Sequence, residues 1–191
     1  MENLKSALAF GGILAREDID ALSLNFRYRK VKAGEYVQEL HEVACDIIFI
    51  NNGILRILGI DADGNDVTKH FVRENQFFAN LESYYTKLPA TEAIQSVIAS
   101  EIYTITLITF ERHLKEIPNL FIFFKSVSEA TLLNKIKDND FLNFGDAKTK
   151  YLELMKRYPV LVQQVPQQYI ASYLKITPQS LSRIRKELSH N

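Results

Sequence analysis

The stretch at residues 166–188, PQQYIASYLKITPQSLSRIRKEL, decides how the rest of the chain is organised. Its apolar residues return every three or four positions, which predicts two short α-helices. Pro166 suits the first turn of the first helix. Thr177-Pro178 marks the start of the second, because a threonine hydroxyl can cap free N–H groups and proline is preset for the first helical position. The turn between the helices is therefore expected at Lys175-Ile176.

The second predicted helix has an apolar side and a polar side. Leu181, Ile184 and Leu188 form the apolar stripe, which is expected to face the core. The opposite side carries side chains that can hydrogen-bond to base edges or pair with phosphates. We therefore expect DNA contacts from Thr177, Gln179, Ser180, Arg183 and Lys186.

A helical hairpin that only closes a hydrophobic core is the alternative interpretation of this stretch. Such a hairpin needs neither the small Ala171 where two helices would cross nor a second helix with three cationic residues against one acidic residue. Residues 146–191 hold eight Lys and Arg against three Asp and Glu, a net charge of +5. The whole chain is neutral, so the first 145 residues carry −5. This asymmetry favours a basic DNA-facing module attached to an acidic body.

The preceding part of the 191-residue chain changes from helical to β-rich patterning. Residues 1–25 are predicted to be helical, and short β-branched runs separated by turn residues follow. Asn52-Gly53 and Asp63-Gly64 are each predicted to form a β-hairpin. The evenly spaced runs indicate an antiparallel barrel or roll. The predicted strands are residues 47–50, 54–60, 67–72, 93–98 and 102–106.

A long helix is predicted from Pro118 to about Leu142. Its start is apolar on nearly all sides, which indicates burial against more than one surface. One side can pack on the β-roll and the other on a second copy of the chain; packing within one chain is the alternative. Phe144-Gly145-Asp146 is then expected to act as a hinge, with Asp146 capping a helix at residues 147–157.

Several classes of protein are disfavoured by the sequence. The single cysteine, Cys45, permits no disulfide framework or iron–sulfur cluster and is expected to be a buried thiol. Residues 1–5 lack the basic start and apolar run of a secretory signal, and the longest uncharged span, residues 158–174, holds four glutamines and two prolines. We therefore expect a cytoplasmic protein without a membrane partner. No catalytic or metal-ligand pattern stands out, so neither enzyme activity nor a cofactor is expected.

The order of these parts resembles the Crp/Fnr family of transcription regulators over essentially the whole chain. Within the predicted roll, residues 32–37 (KAGEYV), 46–53 (DIIFINNG) and 63–66 (DGND) resemble that family's cyclic-nucleotide-binding fold. The resemblance implies an α+β fold with an antiparallel β-roll, a long connecting and dimerisation helix and a C-terminal helix-turn-helix domain. The corresponding boundaries are residues 1–117, 118–143 and 144–191.

The resemblance also implies a mode of action. The protein would be a homodimer that places two recognition helices in successive major grooves of double-stranded DNA, about 34 Å apart. The positions that match the family's base-reading residues are Gln179, Ser180 and Arg183. Pro178 stands where relatives often carry a polar or basic side chain. An unidentified small-molecule effector and RNA polymerase are further candidate partners.

The positions that match the family's ligand site depart from its pattern. Cyclic-nucleotide binders of this fold use a Gly-Glu pair and an arginine, but this chain has Ala79-Asn80 and no arginine between Arg73 and Arg112. Loss of charge-assisted hydrogen bonds worth about 1.5 to 3 kcal/mol each predicts that cyclic AMP does not bind in the usual way. The candidate pocket residues are Asn80, Leu81, Glu82, Thr91 and Glu92.

Two other functions fit the same pattern. The chain could be a receptor or effector module that keeps the roll and signals through protein contacts, with a vestigial helix-turn-helix. It could also bind DNA without any ligand, its pocket being filled by side chains such as Tyr84 and Tyr85.

Overall fold

The computed structural model describes residues 1–189 and contains a β-roll flanked by helices. The strands are β1 (Arg27–Val31), β2 (Tyr36–Gln38), β3 (Asp46–Asn52), β4 (Ile54–Ile60), β5 (Asp66–Arg73), β6 (Phe77–Phe78), β7 (Ala93–Ser96) and β8 (Ser100–Thr106). The helices are α1 (Glu2–Leu8), α2 (Arg16–Ser23), α3 (Leu81–Thr86), α4 (Leu107–Glu116), α5 (Leu120–Asn143), α6 (Ala147–Arg157), α7 (Pro159–Gln164), α8 (Gln167–Tyr173) and α9 (Pro178–Ser189), with a 3-10 turn at Phe10–Gly12.

The eight strands form two four-stranded sheets with the orders β1-β8-β3-β6 and β2-β7-β4-β5. All their pairings are antiparallel, which confirms the predicted roll. Because successive side chains of a strand point to opposite faces, each sheet turns one row of apolar residues inward. The inner core consists of Val31, Ile48, Ile50, Leu55, Ile57, Val72, Ile94 and Ile102.

One of the two predicted hairpins is present and the other is wrong. Asp63-Gly64 lies in the loop that joins the paired strands β4 and β5. Asn52-Gly53 instead carries the chain from β3 in one sheet to β4 in the other. The dipeptide favours a tight reversal, but long-range packing selects each strand's partner. Gly53 has φ +111°, and a Cβ atom there would lie 2.1 Å from the Ser100 hydroxyl oxygen.

A second core, called the outer core below, covers the outer face of the β1-β8-β3-β6 sheet. It is built by α1, α2, α4 and the first turns of α5, with Phe49, Phe110 and Phe123 among its buried residues. Cys45 does not join any core: it is exposed, and the expectation of a buried thiol is wrong. The neighbouring Ala44 takes the buried position at the entry to β3.

A third core joins the C-terminal helices α6 to α9 to the end of α5. It also includes Ile54, Phe71 and Val97 from the β2-β7-β4-β5 side of the roll, so the helical unit packs directly on that sheet. As predicted, the Asp146 side chain caps α6 by accepting a 2.8 Å hydrogen bond from the Thr149 N–H. Within residues 1–189, no helix is both long and apolar enough to cross a bilayer.

Candidate functional site

The helices α8 and α9 pack face to face around a small shared core. Ala171 and Leu181 are completely buried, so their helices approach closely, as the small side chain at position 171 allows. The connecting turn contains Lys175 with φ +57°, and the Ile176 N–H donates to the Ala171 carbonyl at 3.0 Å. The turn therefore lies at Lys175-Ile176, as predicted.

Thr177 fixes the beginning of α9. Its Oγ1 accepts a 3.1 Å hydrogen bond from the Ser180 N–H, and its hydroxyl donates to the Ser180 Oγ at 2.9 Å. This is the capping arrangement that satisfies an otherwise free N–H group at a helix start. Both hydroxyls are therefore positioned by the helix start itself, and Ser180 is half-buried.

The outer side of α9 carries the other predicted contact residues. Gln179, Arg183 and Lys186 are all exposed. Among the described residues, neither Gln179 nor Arg183 has a hydrogen-bond or ion-pair partner, so both are available to a ligand. The acidic residue of α9, Glu187, is paired with Lys148 of α6. The acidic residue of α9 therefore does not offset the charge of Arg183.

The contact between the helical unit and the roll was not predicted from the sequence. On the edge strand β5, the Thr68 N–H donates a 2.9 Å hydrogen bond to the Ser172 hydroxyl of α8. The buried Arg56 guanidinium lies 3.8 Å from the centre of the Tyr169 ring and donates to Asp66 at 2.8 Å. A single arginine inside the apolar strand ILRILGI was the available signal.

A second polar contact joins α5 to the helical unit. The buried Asp138 accepts hydrogen bonds from the Tyr158 hydroxyl at 2.7 Å, the Arg157 guanidinium at 3.2 Å and the Tyr173 hydroxyl at 3.3 Å. Burial and the neighbouring Asp138 carboxylate raise the pKa of Tyr158 to about 12, and they also raise the pKa of Tyr173. Both phenols therefore remain protonated donors, and Asp138 fixes α6 and α8 against the long helix.

The predicted ligand-pocket residues do not converge on one cavity. Asn80 is buried, and its side chain caps α3 by accepting a 3.1 Å hydrogen bond from the Ser83 N–H. Glu92 forms a 3.0 Å ion pair with Lys69 and lines one cavity, while Leu81 lines another. Glu82 and Thr91 are exposed. The role of these five residues remains a prediction.

The tyrosines proposed to fill the pocket lie elsewhere. Tyr84 belongs to the outer core, and its ring lies 3.8 Å from the Lys87 ammonium. Tyr85 is 68% exposed. Neither residue lies among the inner-core side chains of the roll, so a pocket closed by these two rings is not what the structure contains.

Solved structures share this fold, whereas no family model and no curated protein matches the sequence. FixK2 from Bradyrhizobium japonicum superposes with a TM-score of 0.71 at 16% identity, over 86% of this chain and 85% of that one. The c-di-GMP-responsive global regulator CLP of Xanthomonas campestris gives 0.72 at 12% identity, over 92% of each chain. The catabolite activator protein of Thermus thermophilus gives 0.58 at 15% identity, over 96% and 87%.

These superpositions define the class of fold. The chain shares the mixed α/β fold of these three proteins, with antiparallel sheets followed by C-terminal helices. The three superpositions cover 86 to 96% of this chain, so the likeness extends beyond the roll.

Proposed function

We propose that the protein is a homodimeric transcription regulator of the Crp/Fnr type, which binds double-stranded DNA through α9. The observation that carries this proposal is the pair of exposed, unpartnered side chains Gln179 and Arg183 on α9, a capped helix whose other side is buried. In this assignment residues 1–117 form the sensor, 118–143 the connecting helix and 144–191 the DNA-binding domain.

Specificity in this proposal comes from the two free side chains of α9. Arg183 can donate two hydrogen bonds to guanine, and Gln179 can form a matching pair with adenine. Lys186 and the other cations of the helical unit contact phosphates, which supply affinity but no sequence information. Thr177 and Ser180 add contacts from hydroxyls that the helix start already orients.

Dimerisation is supported by the exposed side of α5. The 24-residue helix leaves large apolar side chains in contact with solvent, and each of them is more than half exposed. They are Phe121, Ile122, Leu132, Leu133 and Ile136. Apolar residues along one helix at this density are expected to be buried against a second helix, because association removes their surface from water.

A changed ligand site is the remaining part of the proposal. The Asn80 side chain already caps α3, and Lys69 already forms an ion pair with Glu92. An incoming phosphate would meet a neutralised lysine instead of a free guanidinium. We therefore expect isothermal calorimetry to detect no tight binding of cyclic AMP, and we expect any effector to differ from it.

The test is selection of bound DNA from a random pool by the full chain. We expect a near-palindromic motif with half-sites about one helical turn apart. Arg183→Ala should relax preference at one position in each half-site, a loss of about 1 to 3 kcal/mol of discrimination. Arg112→Ala, which changes an exposed arginine on α4, is the matched control and should select the parental motif.

The result also separates the rival functions. A receptor module with a vestigial helix-turn-helix would enrich no motif and would bind all sequences weakly with a steep dependence on salt. If Arg183→Ala selects the same motif as the parent, Arg183 does not contact a base. A motif without two-fold symmetry would argue against the dimer.

A further inference from the structure

An apolar cavity of about 220 Å³ opens beside the long helix, outside the interior of the β-roll. It lies between the outer face of the β1-β8-β3-β6 sheet and the helices α1, α4 and α5. Its deep wall is made of outer-core residues, namely Leu8, Phe26, Ile47, Phe110 and Phe123. None of the five carries a polar side-chain atom, so the deep end offers a ligand only apolar contacts.

The rim of the cavity is different. Lys135 is the charged residue among those that line the cavity, and Ser128 and Thr131 precede it on α5. The spacing of seven and four residues places all three on one side of the helix. The Lys135 ammonium lies 5.8 Å from the centre of the Phe78 ring and has no ion-pair partner among residues 1–189. The Lys135 ammonium therefore lies at the entrance of the cavity without a counterion.

We propose that this cavity binds a medium-chain carboxylate. The aliphatic chain would occupy the apolar end, and the carboxylate would pair with Lys135 at the rim. The Thr131 hydroxyl already donates to the Val127 carbonyl at 2.8 Å. The Ser128 hydroxyl is thus the neighbouring donor for the second carboxylate oxygen.

The volume sets the length of the ligand. An apolar cavity of about 150 Å³ stays dry and accepts small apolar molecules, and a water molecule in the liquid takes about 30 Å³. By this measure 220 Å³ holds about seven heavy atoms, the size of the alkyl chain of octanoate. Each further buried methylene strengthens binding about fourfold, so octanoate should bind far more tightly than butyrate.

The regulatory meaning of this site rests on the proposed function, whereas ligand binding itself does not. Leu132 lines the cavity and is also 58% exposed on the side of α5 assigned to the dimer. A bound chain would contact the same helix that joins the two subunits. The ligand would therefore act on the geometry of the dimer without touching α9.

The test is calorimetric titration of the full chain in the absence of DNA, with octanoate, butyrate and octan-1-ol as probes. Lys135→Gln should weaken octanoate binding about five- to tenfold and leave octan-1-ol binding unchanged, because only the carboxylate uses the charge. Ser128→Leu, which places a larger side chain at the rim, should abolish binding of both. Lys137→Gln, an exposed lysine two residues further along α5, is the control and should bind octanoate like the parent.

Three results would overturn the proposal: no octanoate binding, octanoate binding no tighter than butyrate, or equal effects of Lys135→Gln and Lys137→Gln. The DNA selection described above is run without octanoate. A failure in calorimetry therefore leaves DNA binding intact, and a failure in selection leaves the ligand site intact.

Discussion

Gly53 and Gly64 both have positive φ, at +111° and +83°, but their surroundings differ. A Cβ atom at position 53 would meet the Ser100 side chain and backbone, whereas nothing lies within 4 Å of one at position 64. Gly53→Ala should lower the free energy of unfolding by about 3 kcal/mol, from backbone strain and overpacking together. Gly64→Ala should lower it by only about 1 kcal/mol. Urea denaturation followed by circular dichroism measures both, and equal losses would contradict the predicted clash.

His70 makes the stability of the fold dependent on pH. Burial lowers its pKa to about 4, and the nearby Lys135 and Arg73 act in the same direction. Well above pH 6.5 the imidazole is neutral in both the folded and the unfolded state, so it does not affect stability. Between pH 6.5 and 4 the unfolded chain binds a proton that the folded chain does not, so stability falls as pH falls.

The expected loss from His70 is about 1 to 2 kcal/mol at pH 5 relative to pH 7.5. His70→Gln should remove this part of the pH dependence, which is measured as the difference between urea unfolding free energies at the two pH values. His41→Gln, at an exposed position, serves as the control. If the His70 variant loses as much stability at pH 5 as the parent, burial of a neutral imidazole is not the cause.

Among the structural elements, α5 depends on Asp138 for its connection to the helices that follow. Asp138→Ala would leave the Tyr158 and Tyr173 hydroxyls without their acceptor and Arg157 without one counterion. We expect a loss of about 2 to 3 kcal/mol in unfolding free energy, less than for a fully buried pair because Arg157 is partly exposed. Asp140→Ala, on the exposed side of the same helix, should cost less than about 0.5 kcal/mol. Equal losses in urea denaturation would mean that the cluster contributes little.

The elements that could be predicted from the sequence are those with local signals. The start of α9 is encoded by Thr177-Pro178, two adjacent residues that cap and preset a helix. By contrast, α4 is not evident from the sequence, because residues 105–110 are all apolar residues or threonines and resemble the continuation of a strand. The structure ends β8 at Thr106, whose hydroxyl accepts a 3.2 Å hydrogen bond from the Thr109 N–H and begins the helix.

Only the part of the candidate site that depends on local sequence signals could be predicted. The polar side of α9 follows from helical spacing, and its role in DNA binding stays a prediction. The position of Arg56 under Tyr169 could not be inferred, because the two residues are more than a hundred positions apart. Contacts between distant elements depend on the packing of the whole chain, which periodicity within one segment does not encode.

At the scale of the whole molecule, the exposed apolar side of α5 predicts self-association. Ile136→Glu would place a charge in the proposed interface and should weaken dimerisation at least tenfold, as measured by sedimentation equilibrium. Ile108→Glu provides the control, because Ile108 is an isoleucine that is also exposed, at 75%, but belongs to α4. A parent chain that sediments as a monomer, or two variants that behave alike, would exclude α5 as the dimer contact.

The shared core of the roll and the C-terminal helices has a consequence for protein engineering. Ile170 and Tyr173 of α8 are buried in the same cluster as Phe71 of β5. A chimera that joined residues 144–191 to an unrelated sensor would expose these apolar side chains to solvent and promote aggregation. A chimera that keeps these side chains buried would have to include the β4–β5 hairpin together with residues 144–191. The smallest transferable unit is therefore larger than the C-terminal helices alone.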